Sequence, residues 1–89
     1  EAKILKVFSK NGNKQVLGAK FISGSIALGA QVKIDRRGIE LDKGKILNLQ
    51  QARVDMQEIH TEGEFGLQVE TKTEIAGGDS LIAFRIVEN

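Results

Sequence analysis

The sequence contains no cysteine, proline, tryptophan or tyrosine, and only one histidine. Without cysteine there are no disulfides, thiolate metal ligands or cysteine nucleophiles, and one histidine does not make a conventional zinc site. The aromatic content is four phenylalanines, Phe8, Phe21, Phe65 and Phe84. A surface that holds single strands by base stacking displays exposed aromatics, yet three of these four fall in alternating segments and are expected in the core. No run of 18 or more apolar residues occurs, so no membrane-spanning helix is expected. No basic segment followed by an apolar stretch stands near the N-terminus, so the expected location is the cytoplasm or an organelle matrix.

What the chain does have is 89 residues and ten glycines. That length suits one domain, and folding it buries roughly 60–65% of the surface of the unfolded chain, enough for one core. Net charge is +1, unevenly spread. Residues 1–45 carry ten basic and four acidic groups, and residues 46–89 carry three basic and eight acidic groups. Such asymmetry fits a nucleic-acid face, and equally a barrel that mixes both halves on its surface.

Most segments read as strands. Residues 2–9 (AKILKVFS) lead to a turn at Asn11-Gly12-Asn13. Residues 16–23 (VLGAKFIS) place Leu17, Ala19 and Phe21 on one face, with Val16, Gly18 and Lys20 on the other. After Gly24-Ser25, residues 30–35 (AQVKID) alternate with Val32 and Ile34 inward. Arg36-Arg37-Gly38 forms a turn, followed by strands at 39–41 and 44–49. Residues 64–69 alternate with Phe65, Leu67 and Val69 inward, and Gly77-Gly78-Asp79 turns into a closing strand over 80–87. Residues 49–59 fit a loop, with one helical turn allowed by the spacing of Leu49, Ala52, Arg53 and Met56, leading to a short strand. Short strands with turn signals every 8–12 residues predict an all-β sandwich or barrel.

Motifs for catalysis fail on inspection. Residues 38–46 (GIELDKGKI) approximate a phosphate-binding loop, but the spacing is one residue too long and Ile46 stands where magnesium needs a hydroxyl; a hairpin fits better. Gly63-Glu64-Phe65-Gly66 has the spacing of an RNA-clamping GXXG loop, but Glu64 opposes phosphate, and a glycine-eased strand entry fits better. Ser9, Ser23, Ser25 and Ser80 lack a nucleophile elbow that would pair with His60; His60 is expected in a loop, hydrogen-bonded to neighbours. Glu62, Glu64, Glu70 and Glu74 lack calcium-loop spacing and are expected on a solvated face. The domain is not expected to be an enzyme, and no metal site or cofactor is expected within it.

Order and spacing carry more than composition. Residues 16–26 (VLGAKFISGSI) are similar to a strand pair reading I-A-G-C-x-V-x-x-G-x-I. Residues 30–46 (AQVKIDRRGIELDKGKI) are similar to a hairpin reading A-K-V-R-V-I-R-x-G-x-V-x-x-G-x-I. Residues 47–59 (LNLQQARVDMQEI) match a loop S-L-K-R-aromatic-K-D-D-V-x-E-V. Residues 64–67 (EFGL) and 74–84 (EIAGGDSLIAF) match E-C-G-L and D-I-K-E-G-D-x-I-E-A-aromatic. Taken in order over residues 2–84, these blocks resemble the last domain of bacterial-type translation initiation factor 2. That factor is a translational GTPase whose C-terminal barrel holds the formylmethionyl end of initiator tRNA.

The resemblance implies a closed antiparallel β-barrel of six to seven strands, like the second domain of elongation factors, cut from a larger factor. It implies a pocket for formylmethionine and the CCA end at Ala19, Glu64, Phe65 and Gly66, with Gln50, Gln51, Ala52 and Arg53 along the acceptor end. Gly66 then serves close backbone approach, or alternatively a packing or twist role in its strand. Two family cysteines correspond to Ala19 and Phe65, so Phe65 either fills the methionine space or walls it. The basic loop has become Gln50-Gln51-Ala52-Arg53, with one charge. The implied partners are initiator formylmethionyl-tRNA and, through the parent factor, the ribosome; no membrane is expected, and the domain should be monomeric. GTP and magnesium are expected elsewhere in the parent. The competing readings are a docking barrel of a divergent translational GTPase, touching ribosome or protein without recognising tRNA, and the barrel that follows the GTPase domain.

Overall fold

Alternation of apolar and polar residues generates nine strands in the computed structural model, which describes residues 1–84. They are β1 (Ala2–Asn11), β2 (Lys14–Phe21), β3 (Ile26–Ala27), β4 (Gln31–Arg36), β5 (Ile39–Gln51), β6 (Val54–Asp55), β7 (Glu58–Ile59), β8 (Glu64–Glu70) and β9 (Ser80–Phe84). Residues 85–87 of the expected closing strand lie outside the described residues. The sheet runs β4-β9-β1-β2-β8-β5, and the additional β4–β5 pairing closes it into a six-stranded antiparallel barrel, with β6 added along β5. β3 and β7 form a separate two-stranded ribbon.

Closure depends on β5. Its first half pairs with β4 and its second half with β8, the exchange falling at Lys45, which faces both Gln31 and Glu70. The sequence suggests a break at Asp42-Lys43, but the strand runs unbroken for 13 residues. Gly44 is the corner: a Cβ there would lie 2.9 Å from Val69 Cγ1 and 3.1 Å from the Glu70 carbonyl oxygen. Glycine thus lets β8 cross close over the bend. The helical turn allowed for residues 49–59 does not form either. Gln51 pairs with Val54 instead, and Ala52-Arg53 make a two-residue hairpin turn.

The inward faces of β2, β4 and β8 supply Leu17, Ala19, Phe21, Val32, Ile34, Phe65, Leu67 and Val69, all buried in one core with Ile4, Ile46, Leu49 and Leu81. Burying such a side chain is worth about 1.5–3 kcal/mol. Two polar devices fix the irregular stretch between β8 and β9. Gln15, fully buried, donates from Nε2 to the Thr73 carbonyl (2.8 Å) and accepts the Ile75 N–H (2.9 Å). Buried Asp79 receives the Arg36 guanidinium on both oxygens, at 2.8 and 2.9 Å, and the Ala76 N–H at 2.9 Å. The Arg36 hydrogen bond, with help from Ala76 and against the cost of burial, holds the Asp79 carboxyl below the usual range.

β1 departs from alternation. Its register against β2 slips between Ile4 and Lys6 and again between Val7 and Ser9. Leu5 and Phe8 are therefore the extra residues of two β-bulges. A bulge re-aims side chains: Ile4 and Val7 turn inward, while Leu5 and Phe8 stay outside, 46% and 61% exposed.

Candidate functional site

Outside the barrel, β1, β2, β8 and the end of β5 share a cross-strand row. Lys6 faces Gly18, Gly18 faces Gly66, and Gly66 faces Gln50. Two glycines side by side leave the middle of the row without side chains, and an open groove of about 900 Å³ runs over them. A Cβ on Gly66 would meet nothing closer than the Leu17 carbonyl oxygen at 3.9 Å. Packing thus does not require glycine at 66, and its effect is to keep the floor low. Gly18 differs, since Phe8 sits over it, with ring carbons 2.9 and 3.1 Å from where a Cβ would be.

Seven of the eight residues named from the sequence line this groove: Ala19, Gln50, Ala52, Arg53, Glu64, Phe65 and Gly66. Gln51 points away, accepting a 3.4 Å hydrogen bond from the Thr61 hydroxyl. Ala19 and Phe65 belong to the core, at 0% and 4% exposure, and meet the groove from the core side. Phe65 therefore walls the groove without filling it.

Four more lining residues, Leu5, Lys6, Phe8 and Gly18, escaped the sequence reading. The signal for Leu5 and Phe8 was present. Ile4-Leu5 and Val7-Phe8 are apolar doublets in a strand that otherwise alternates, and a doublet is how a bulge looks in sequence. The expectation that three phenylalanines are core holds for Phe21 and Phe65 alone. Phe84 is half-buried with Lys33 and Lys43 over its ring (5.4 and 5.6 Å), and Phe8 carries Lys6 at 5.7 Å.

The far wall is the β5–β6 turn. Ala52 and Arg53 both have positive φ, 54° and 65°, the left-handed pair of a type I′ turn that Asn-Gly normally fills. Gln50 braces it by donating Nε2 to Asp55 Oδ1 at 2.9 Å. The groove thus joins apolar surface (Leu5, Phe8, Phe65) to two cations, Lys6 and Arg53, and one carboxylate, Glu64. The other acids singled out, Glu62, Glu70 and Glu74, are exposed. His60 is exposed in the β7–β8 loop, where its imidazole finds no hydrogen-bond partner among the described residues. No three metal-ligating side chains cluster among the described residues.

No family model matches the chain. Individual relatives do. Translation initiation factor IF-2 of Bartonella quintana is 33% identical over 85 residues, covering 96% of this chain. IF-2 of Caldanaerobacter subterraneus is 33% identical over 98% of it, and IF-2 of Agrobacterium fabrum 28% identical over 96%. Over nearly its whole length the chain is homologous to a segment of IF-2. It spans only 9–12% of the length of these IF-2 relatives, so the match is to one barrel-sized segment of each.

Proposed function

We infer that this barrel acts in translation initiation as one domain of a larger IF-2-type factor, and that its groove holds the acylated 3′ end of initiator tRNA. The observation that carries this reading is the convergence of Ala19, Gln50, Ala52, Arg53, Glu64, Phe65 and Gly66 on one glycine-floored groove. The chemistry is suitable. A methionine thioether packs against an exposed aromatic ring such as Phe8 with a contact worth about 0.3–1.5 kcal/mol. Lys6 and Arg53 neutralise phosphate. Formylation removes a positive charge from the methionyl amine, which favours entry between two cations. The barrel itself binds and does no chemistry; nucleotide hydrolysis belongs to another domain of the parent.

The test is a titration of the protein with formylmethionyl-tRNA and with unformylated methionyl-tRNA at low and moderate salt, read by backbone amide shifts. Selective movement of Ala19, Arg53 and residues 64–66 by the formylated ligand is expected. Absence of shifts at low salt, where phosphate contacts are strongest, would sink tRNA recognition and leave a docking role on ribosome or protein.

A further inference from the structure

The tip of the β1–β2 hairpin carries chemistry of its own, away from the groove. Its two-residue turn is Gly12-Asn13, with Asn11 and Lys14 paired across it. Gly12 has a φ of 63° while Asn13 stays out of the left-handed region, the pattern of a type II′ turn. Asn11-Gly12 is the only Asn–Gly or Asp–Gly step in the sequence.

In such a step the main-chain nitrogen of the glycine can attack the asparagine side chain, because no Cβ shields it. Three features of the fold leave that attack open. Residues 11–14 are all exposed, so water and hydroxide reach the turn. The Gly12 N–H has no main-chain partner among the described residues, so no hydrogen bond has to break before it loses its proton. A Cβ at Gly12 would meet nothing within 4 Å, so the peptide plane between Asn11 and Gly12 has room to rotate. The asparagines at 13 and 48 differ. They precede Lys14 and Leu49, whose side chains crowd the same attack, and the Leu49 nitrogen already donates to Asn48 Oδ1 at 2.9 Å.

We propose that Asn11 is a spontaneous deamidation site, and that isoaspartate accumulates in the β1–β2 turn of the folded domain. Hydroxide takes the Gly12 N–H proton, and the nitrogen bonds to Asn11 Cγ. The Cγ–Nδ2 bond then breaks, and the amide nitrogen leaves as ammonia after gaining a proton from water. Water opens the resulting five-membered imide. Cleavage between Gly12 N and Cγ gives aspartate; cleavage between Gly12 N and the main-chain carbonyl carbon gives isoaspartate. Nothing is oxidised or reduced, and water is the only co-reactant.

Both products place a new carboxylate beside Lys14. Isoaspartate also adds one carbon to the main chain on the β1 side of the hairpin. That extra length acts on a pinned turn. The Asn13 carbonyl accepts the Thr71 N–H at 2.8 Å, and buried Gln15, two residues on, holds Thr73 and Ile75. The modified hairpin therefore loosens the anchor of the stretch between β8 and β9.

The experiment stores the folded protein in mildly alkaline buffer at body temperature and maps its peptides by mass at intervals. The peptide holding Asn11 should gain one mass unit, and should accept a methyl group from S-adenosylmethionine when an isoaspartyl methyltransferase is added. The gain should be faster at higher pH and absent from Asn11→Gln. Fragmentation should place it at Asn11 and leave Asn13 and Asn48 unchanged. The isoaspartate-bearing fraction should unfold at lower denaturant than fresh protein, with shifted amides at Gln15 and Thr71. Fresh Asn11→Asp has the charge without the extra carbon and should match the unmodified protein. No mass gain, gain only after denaturation, or gain shared equally with Asn13 overturns the site. Mass gain without methyl acceptance overturns isoaspartate as its product, and an Asn11→Asp variant as unstable as the aged protein overturns the role of main-chain length.

Discussion

Two buried or half-buried glycines make opposite predictions when each gains a single methyl group. At Gly44 the new carbon would meet Val69 and the Glu70 carbonyl at 2.9 and 3.1 Å, so Gly44→Ala should cost about 1–3 kcal/mol, read by denaturant unfolding. At Gly66 it would sit at 3.9 Å or more from its neighbours. Gly66→Ala should leave stability unchanged or raise it by about 0.5–1 kcal/mol, yet weaken formylmethionyl-tRNA binding by raising the groove floor. A Gly66→Ala variant that binds as well as the parent would detach that floor from ligand recognition. Gln15 is the polar counterpart. Gln15→Ala strands the Ile75 N–H and the Thr73 carbonyl inside the barrel, at a cost of about 2–3 kcal/mol, measured the same way.

At the level of elements, the β5–β6 turn holds two non-glycine residues in the left-handed region. Such residues cost of order 1 kcal/mol each or more. Replacing Ala52-Arg53 with Asn-Gly should therefore raise stability by about 1–2 kcal/mol while removing one phosphate contact. The salt dependence of tRNA binding should then flatten by about 0.7 in log–log slope; an unchanged slope would place Arg53 off the RNA. The sequence made the inward faces of β2, β4 and β8 legible, because each alternates strictly and its turns carry glycine. It concealed the continuity of β5, since Asp42-Lys43-Gly44 has the composition of a turn but serves as a corner inside a strand. It concealed the outward walls of the groove as well. Leu5 and Phe8 are placed by register slips against β2, and register is a property of two strands, visible in neither alone. Positions carried over from the family blocks located the β2, β5 and β8 sides of the groove; the β1 side had to come from the fold.

For the molecule as a whole, acid should be the sensitive axis. Asp79 is held below the usual carboxylate range chiefly by the Arg36 hydrogen bond, and Asp42 chiefly by the Lys43 N–H, with Thr73 and Thr71 hydroxyls adding to it. A depressed folded-state pKa gives stabilisation that is complete above the unfolded value, near pH 4, and lost as pH falls through the lower folded values. Stability should be level through neutrality and drop below about pH 4, and Asp79→Asn should flatten part of that drop in an unfolding series against pH. The groove has its own whole-molecule consequence through the two slips in β1. That strand uses ten residues against eight in the strand it faces, and the surplus residues, Leu5 and Phe8, are the ones that stand in the groove wall. Removing Leu5 would bring Ile4 and Lys6 into regular pairing with Ala19 and Gly18, so the core would keep its composition while the groove lost a wall. In most sheets a one-residue deletion is the most disruptive change available, because it inverts every side chain beyond it. In this strand a deletion at a bulge restores alternation, so ligand preference in barrels of this build can drift through changes in strand length that never touch the interior.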